Sequence, residues 1–72
     1  MEPISPEMVL GKRLVDGRGA RVGEIVDVGL FDHRRVKFLV VEDAGQRVRI
    51  RTVGVEAIDQ IDTEAVTLHP RA

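Results

Sequence analysis

The stretch RVKFLVVE, residues 35–42, decides the fold class of this 72-residue chain. Half of its residues are β-branched or aromatic, and such residues fit the pleated surface of a β-strand. Alternation places Val36, Phe38 and Val40 on one face, and Leu39 and Val41 on the other. A strand that is apolar on both faces is buried on both. We therefore expect one face in the core and the other against the N-terminal segment or a second subunit.

The residues that follow predict a hairpin. Asp43-Ala44-Gly45-Gln46 has the composition of a tight turn, and the strand predicted over 46–52 alternates regularly. Its apolar members, Val48 and Ile50, are predicted to face the core. Three basic side chains are predicted to project from the opposite face, about 7 Å apart because each step is two strand rises: Arg47, Arg49 and Arg51.

The rest of the chain consists of short apolar runs separated by turns. Further strands are predicted over 11–16, 20–31, 58–62 and 65–68, with turns over 16–19, 32–34 and 62–64 and a short 3₁₀ turn over 53–57. Alternation slips within 20–31, which predicts a bulge near Val26-Asp27. This spacing is typical of an all-β barrel or sandwich.

The two ends of the chain differ from this pattern. Ser5-Pro6-Glu7 combines an N-cap, a proline at the first helical position and an acidic first turn. Residues 1–8 are therefore either a short helical turn or a frayed tail. The domain is predicted over 9–69, and Pro70 begins a short C-terminal tail because it has no N–H to donate.

Composition limits the classes of function. Hydrophobic residues make up 43% of the chain and charged residues 32%, which is typical of a globular protein. Cysteine is absent, and the core must be aliphatic because Phe31 and Phe38 are the only aromatic residues. No apolar stretch approaches the roughly 20 residues of a membrane span, and no signal-peptide pattern opens the chain. So small a core favours a partner, and another copy of the chain is the simplest one.

Residues that could carry chemistry are few. Ser5 is the only serine and fits a capping role, while His33 and His69 have no neighbour in sequence to orient them. Two histidines without cysteine cannot form a structural zinc site. The glycines of Gly17-Arg18-Gly19 precede a strand rather than a helix, so they fit a turn and not a phosphate loop. We predict no catalytic residue, no metal, no cofactor and no enzymatic activity.

Charge is distributed unevenly, although the net charge is −1. Residues 34–51 carry six basic side chains against two acidic ones, and residues 52–72 carry one against four. Arg47, Arg49 and Arg51 together are called the arginine face. Three interpretations of it remain open: a solvated strand surface, a contact for an acidic protein partner or a second copy of the chain, and a contact for RNA. Few aromatic side chains are present for stacking on bases, which weakens the RNA interpretation.

Four segments together resemble the PRC-barrel domain family: residues 10–16, 22–28, 36–42 and 55–58. The resemblance covers residues 9–68. It implies a small, strongly bent β-barrel, here of about six antiparallel strands, that serves as a non-enzymatic interaction module. Members of this family include subunits of membrane-associated and cell-division assemblies and one domain of a ribosome maturation factor.

The sequence therefore predicts a stand-alone adaptor or assembly factor that binds itself as a homodimer and an unidentified protein. Leu39 and Val41 are predicted to form the hydrophobic part of the interface, and Arg47, Arg49 and Arg51 the basic part. We expect a cytoplasmic protein, peripheral at the membrane through a partner, with no DNA binding and no membrane insertion. The alternative is a ribosome- or RNA-associated maturation factor that uses the arginine face.

Overall fold

The computed structural model describes residues 3–32, 34–43 and 49–70. Within these ranges the chain forms six strands and two 3₁₀ helices: η1 (Pro6–Met8), β1 (Arg13–Val15), β2 (Arg21–Leu30), β3 (Val36–Asp43), β4 (Arg49–Gly54), η2 (Val55–Ala57), β5 (Ile58–Ile61) and β6 (Ala65–Leu68). The predicted all-β class and the 3₁₀ turn before the fifth strand are confirmed. The turn predicted over 43–46 lies mostly outside the described residues.

All six strands belong to one sheet, in the order β4-β3-β2-β1-β6-β5. The prediction of a closed, antiparallel barrel is wrong in two respects. The sheet is open, with β4 and β5 at its two edges, and β1 pairs with β6 in parallel. The chain passes from one edge to the other through η2 alone, so the two edge strands adjoin in sequence without pairing in the sheet.

The turn before β2 and the bulge within β2 are both present where the sequence predicts them. The Asp16 carboxylate accepts hydrogen bonds from the N–H groups of Arg18 and Ala20, both at 2.9 Å, which closes the predicted turn. Gly19 has a φ of 84°, a left-handed conformation that glycine adopts without steric cost. The ladder between β2 and β3 shifts register between Ile25 and Asp27, so the predicted bulge is confirmed.

The N-terminal segment packs into the domain. Of the two predicted alternatives, the structure has the helical turn, η1. Ile4 before it is 5% exposed and Val9 after it is fully buried. The Val36 N–H donates a hydrogen bond to the Ile4 carbonyl at 2.8 Å, which ties the segment to the start of β3. Part of the core therefore lies before the predicted boundary at Val9.

The core is aliphatic, as the composition requires. Nine buried side chains form it among the described residues: Ile4, Val9, Leu14, Ile25, Val36, Leu39, Val41, Ile58 and Val66. Leu39 and Val41 are 0% exposed. The prediction that they present a hydrophobic surface to a partner is therefore wrong. Both faces of β3 are apolar, so the alternation of residues does not indicate which face lies in the core. The pairing of β3 with β2 determines the core-facing side.

The predicted orientation of β4 is also reversed. Directly opposed residues of an antiparallel ladder project from the same face. Arg51 lies opposite Val41 and Val53 opposite Leu39, so Arg51 and Val53 share the core-facing side. Ile50 lies opposite Glu42 on the outer side and is 57% exposed, contrary to prediction. The remaining members of this predicted pattern, residues 47 and 48, lie outside the described residues.

Candidate functional site

The outer face of β2, β3 and β4 combines apolar and acidic side chains. Three rungs of opposed residues form this outer face: Glu24, Glu42 and Ile50; Asp27, Val40 and Thr52; Gly29, Phe38 and Gly54. Phe38 and Val40 are half-buried, whereas Ile50 at the edge strand is mostly exposed. The outer face thus has an apolar strip along β3 that reaches β4.

Gly29 leaves room for the Phe38 ring to lie across this face. A Cβ atom added at Gly29 would overlap the Phe38 ring, so the ring lies directly over that glycine. Gly54 is opposite Phe38 on the other neighbouring strand, and the Glu56 carboxylate lies over it. An aromatic ring over a cross-strand glycine covers backbone that would otherwise be exposed. Phe38 is therefore part of a level surface rather than a projecting side chain.

Acidic side chains border the apolar strip. Glu24 and Glu42 lie directly opposite each other, and like charges in that arrangement destabilise a sheet. Arg13 is opposite Glu24 on β1, and its guanidinium is 3.7 Å from the Glu64 carboxylate. A partner that brings a cation to Glu24 and Glu42 would relieve their repulsion.

A second exposed apolar group lies at the turn between β2 and β3. Phe31 is 64% exposed, and the Lys37 Nζ atom is 5.6 Å from its ring centroid, within range of a cation–π interaction. Leu30, at the end of β2, is also exposed. The sequence gives Phe31 no predicted role, because an aromatic residue beside a turn carries no periodic signal.

The same turn is held by Asp32. Its Oδ1 atom accepts hydrogen bonds from the N–H groups of Arg34 and Arg35, at 3.0 and 3.1 Å. These bonds to the charged form, the one from Arg34 first, lower the pKa of Asp32 below its usual 3.8. His33, a candidate general base in the sequence, lies outside the described residues.

The structure gives His69 a partner that the sequence did not indicate. Its Nδ1 atom is 3.3 Å from the Asp59 Oδ1 atom, and its backbone N–H donates to the Ala57 carbonyl at 2.9 Å. Ten residues separate Asp59 from His69, and only the pairing of β5 with β6 brings them together. Ser5 is the N-cap residue of η1 and is not among the described hydrogen-bond or ion-pair partners of His69. The pair orients an imidazole without placing the serine beside it.

Two of the three arginines that the sequence singled out, Arg49 and Arg51, lie on the exposed end of β4, and Arg47 lies outside the described residues. Arg49 is opposite Asp43 and Arg51 is opposite Val41, and both arginines are exposed. Both project from the core-facing side of the strand. They are nevertheless exposed, because the first four residues of β4 extend beyond the packed core. Arg51 also borders a cleft of about 570 Å³ between β4 and the end of β6.

Other kinds of site have little support in the part of the chain that the structure describes. No group of three or more His, Cys, Asp or Glu side chains there is placed to hold a metal ion. Nor does that part contain a helix long and apolar enough to cross a membrane. Comparison with models of known protein families gives no match, and comparison with curated proteins gives none either.

Proposed function

We propose that this chain is a non-enzymatic protein–protein interaction module that forms a homodimer through the outer face of β2–β4. The observation that carries the proposal is the exposure of Ile50 beside the half-buried Phe38 and Val40. A flat apolar strip with a polar border has the composition of an interface, with a hydrophobic centre and a charged rim. The resemblance to PRC-barrel domains supports the same class of function.

Burial of apolar side chains favours association through this outer face. Among the described residues the core contains nine buried aliphatic side chains, which is a small hydrophobic centre for a domain. Burying an exposed isoleucine contributes about 1.5–3 kcal/mol relative to leaving it in water. A two-fold symmetric dimer places the same patch on both subunits, so Ile50 contributes twice. The acidic residues Glu24 and Glu42 at the rim then disfavour contacts that lack a matching cation.

The biological setting follows from the resemblance alone. PRC-barrel domains share a fold rather than one activity, so an adaptor in a membrane-associated or cell-division assembly is an argument by analogy. The proposal itself rests on the surface, and it requires a protein partner rather than a substrate.

Sedimentation equilibrium of the purified chain tests the homodimer. We expect a dimer in the wild type and a folded monomer in Ile50→Asp, because a carboxylate at the apolar strip would be desolvated on association. Leu10→Asp is the matched control, since Leu10 is 42% exposed but precedes β1 and borders a different surface. Circular dichroism establishes that each variant is folded. A monomeric wild type, or a dimer that survives Ile50→Asp, would contradict the proposal.

A second candidate function, binding to RNA, rests on the two exposed arginines that share one side of β4. RNA binding would weaken steeply with added salt, because each neutralised phosphate releases counterions. Double replacement, Arg49→Ala with Arg51→Ala, would then reduce both the affinity for a single-stranded oligonucleotide and the steepness of the salt dependence. Under the leading proposal we expect no salt-dependent binding of the oligonucleotide, measured by fluorescence anisotropy with labelled RNA.

A further inference from the structure

β4 has a free edge. Its hydrogen-bonded neighbour in the sheet is β3, and no described strand pairs with its other side. An edge strand presents unpaired N–H and C=O groups that can pair with another chain. Residues 49–52 are also exposed on both faces, so no described side chain covers this part of the edge.

A cleft runs beside the free edge. Arg51, Thr52 and Val53 line one wall, and Leu68 and His69 at the end of β6 line the other. Val22 also lines the cleft, as do the acidic side chains of Asp16 and Glu56, and no residue of β3 does. Its volume of about 570 Å³ accommodates side chains of an added strand. The hydrogen bond from the His69 N–H to Ala57 holds the far wall in position.

The side chains of β4 define what the added strand should carry. Cross-strand neighbours stabilise a sheet when opposite charges face each other and when β-branched residues face each other. Arg49 and Arg51 therefore favour carboxylates opposite them, and a guanidinium can bind a carboxylate through two parallel hydrogen bonds. Ile50 and Val53 favour aliphatic side chains.

Arg51 should contribute more than Arg49 to this recognition. Arg49 already faces Asp43 across the ladder with β3, whereas Arg51 faces Val41, which has no charge. Arg51 is also the arginine that lines the cleft. A carboxylate of the added strand opposite Arg51 would therefore supply the negative charge that Val41 on β3 does not.

We propose that the free edge of β4 binds an extended acidic segment of a partner protein as an additional strand, with acidic and aliphatic residues alternating along it. This inference rests on the proposed function as an interaction module and names the chemistry of a further partner. It uses the edge of β4, whereas the homodimer uses the outer face. The mode is strand addition, in which backbone hydrogen bonds supply affinity and alternate side chains supply specificity.

The probe is a blocked synthetic peptide with the sequence Val-Thr-Glu-Ile-Glu between flanking glycines. In antiparallel pairing its first glutamate lies opposite Arg51 and its second opposite Arg49. Titration of the ¹⁵N-labelled wild-type chain should shift the amide resonances of Arg49–Gly54 and of His69. A companion peptide, Val-Thr-Lys-Ile-Glu, should bind about tenfold more weakly because one charge pair is lost.

A charge exchange makes the test specific. In Arg51→Glu the preference should reverse, so that the lysine peptide binds more tightly than the glutamate peptide. Arg34→Glu, at an exposed arginine in another turn, should keep the wild-type preference. Equal binding of both peptides, no binding of either, or shifts confined to other strands would overturn the proposal. Stronger shifts of the β4 amides by oligouridine would overturn it in favour of RNA.

The peptide titration and the sedimentation experiment test the two proposals separately. A chain that is monomeric but binds the peptide would contradict only the homodimer. A chain that is dimeric through the outer face but ignores the peptide would contradict only strand addition.

Discussion

Leu39 and Ile50 have isomeric side chains, and replacing either with alanine removes three carbon atoms. Leu39 is 0% exposed on the core-facing side of β3, whereas Ile50 is 57% exposed on the outer side of β4. The two variants Leu39→Ala and Ile50→Ala therefore differ in burial rather than in chemistry. Their effects on the free energy of unfolding measure which face of the β3–β4 hairpin is inside.

The expected magnitudes are well separated. A fully buried Leu→Ala replacement costs about 2.7–5.0 kcal/mol, because the lost transfer free energy adds to the cost of a cavity. Taking about 3 kcal/mol and about 4–8 °C per kcal/mol for a domain of this size, Leu39→Ala should lower Tm by roughly 12–24 °C. Less than half of Ile50 is buried within the monomer, so Ile50→Ala should cost the monomer about 1 kcal/mol or less.

Far-UV circular dichroism is the appropriate assay, since the chain contains no Trp or Tyr to report unfolding by fluorescence. The wild type and both variants are compared at a protein concentration low enough to keep the chain monomeric, because self-association adds to the apparent stability. Similar losses in the two variants would refute the assigned register. A slip of β4 by one residue would place Ile50 in the core and both described arginines of the strand outside.

Two further predictions concern local contacts. Gly29→Ala should lower the free energy of unfolding by about 1–3 kcal/mol, because the new methyl group displaces the Phe38 ring. Urea unfolding measures this loss. An unchanged stability would show that the ring does not lie over Gly29. Asp32→Asn should lower Tm at neutral pH. Since the pKa of Asp32 is lowered in the folded chain, its stabilisation is present above about pH 3.8 and disappears as pH falls through the folded value, so wild type and variant should converge in acid. Titration of the Asp32 carboxyl by NMR checks the direction, and a pKa at or above 3.8 would contradict it.

Features that depend on neighbours in sequence were predictable. The parity slip in residues 20–31 indicates a bulge, and the structure has it between Ile25 and Asp27. Asp16 and two glycines indicate a turn, which the Asp16 carboxylate closes. The turn prediction succeeds because its hydrogen bonds span four residues or fewer. The bulge prediction succeeds because the parity of the apolar residues within a single strand records the slip.

Features that depend on pairing were predicted wrongly or missed. The sequence suggested that Leu39 and Val41 contact a partner and that Ile50 is inside, and the register reverses both assignments. Alternation has a period of two, so a shift of one residue exchanges the faces without changing the pattern. Contact between Asp59 and His69 was missed for a related reason, since it exists only through the ladder of β5 and β6.

By itself, the sequence determined the all-β class, the positions of the strands and turns, and an aliphatic core, because composition and short-range periodicity govern them. Tertiary structure decided the faces of β3 and β4, the parallel pairing of β1 with β6 and the open edge at β4. These depend on which distant strands exchange hydrogen bonds, and many pairings satisfy the same alternation of apolar residues. The surface proposed for binding therefore became visible only once the pairing was known.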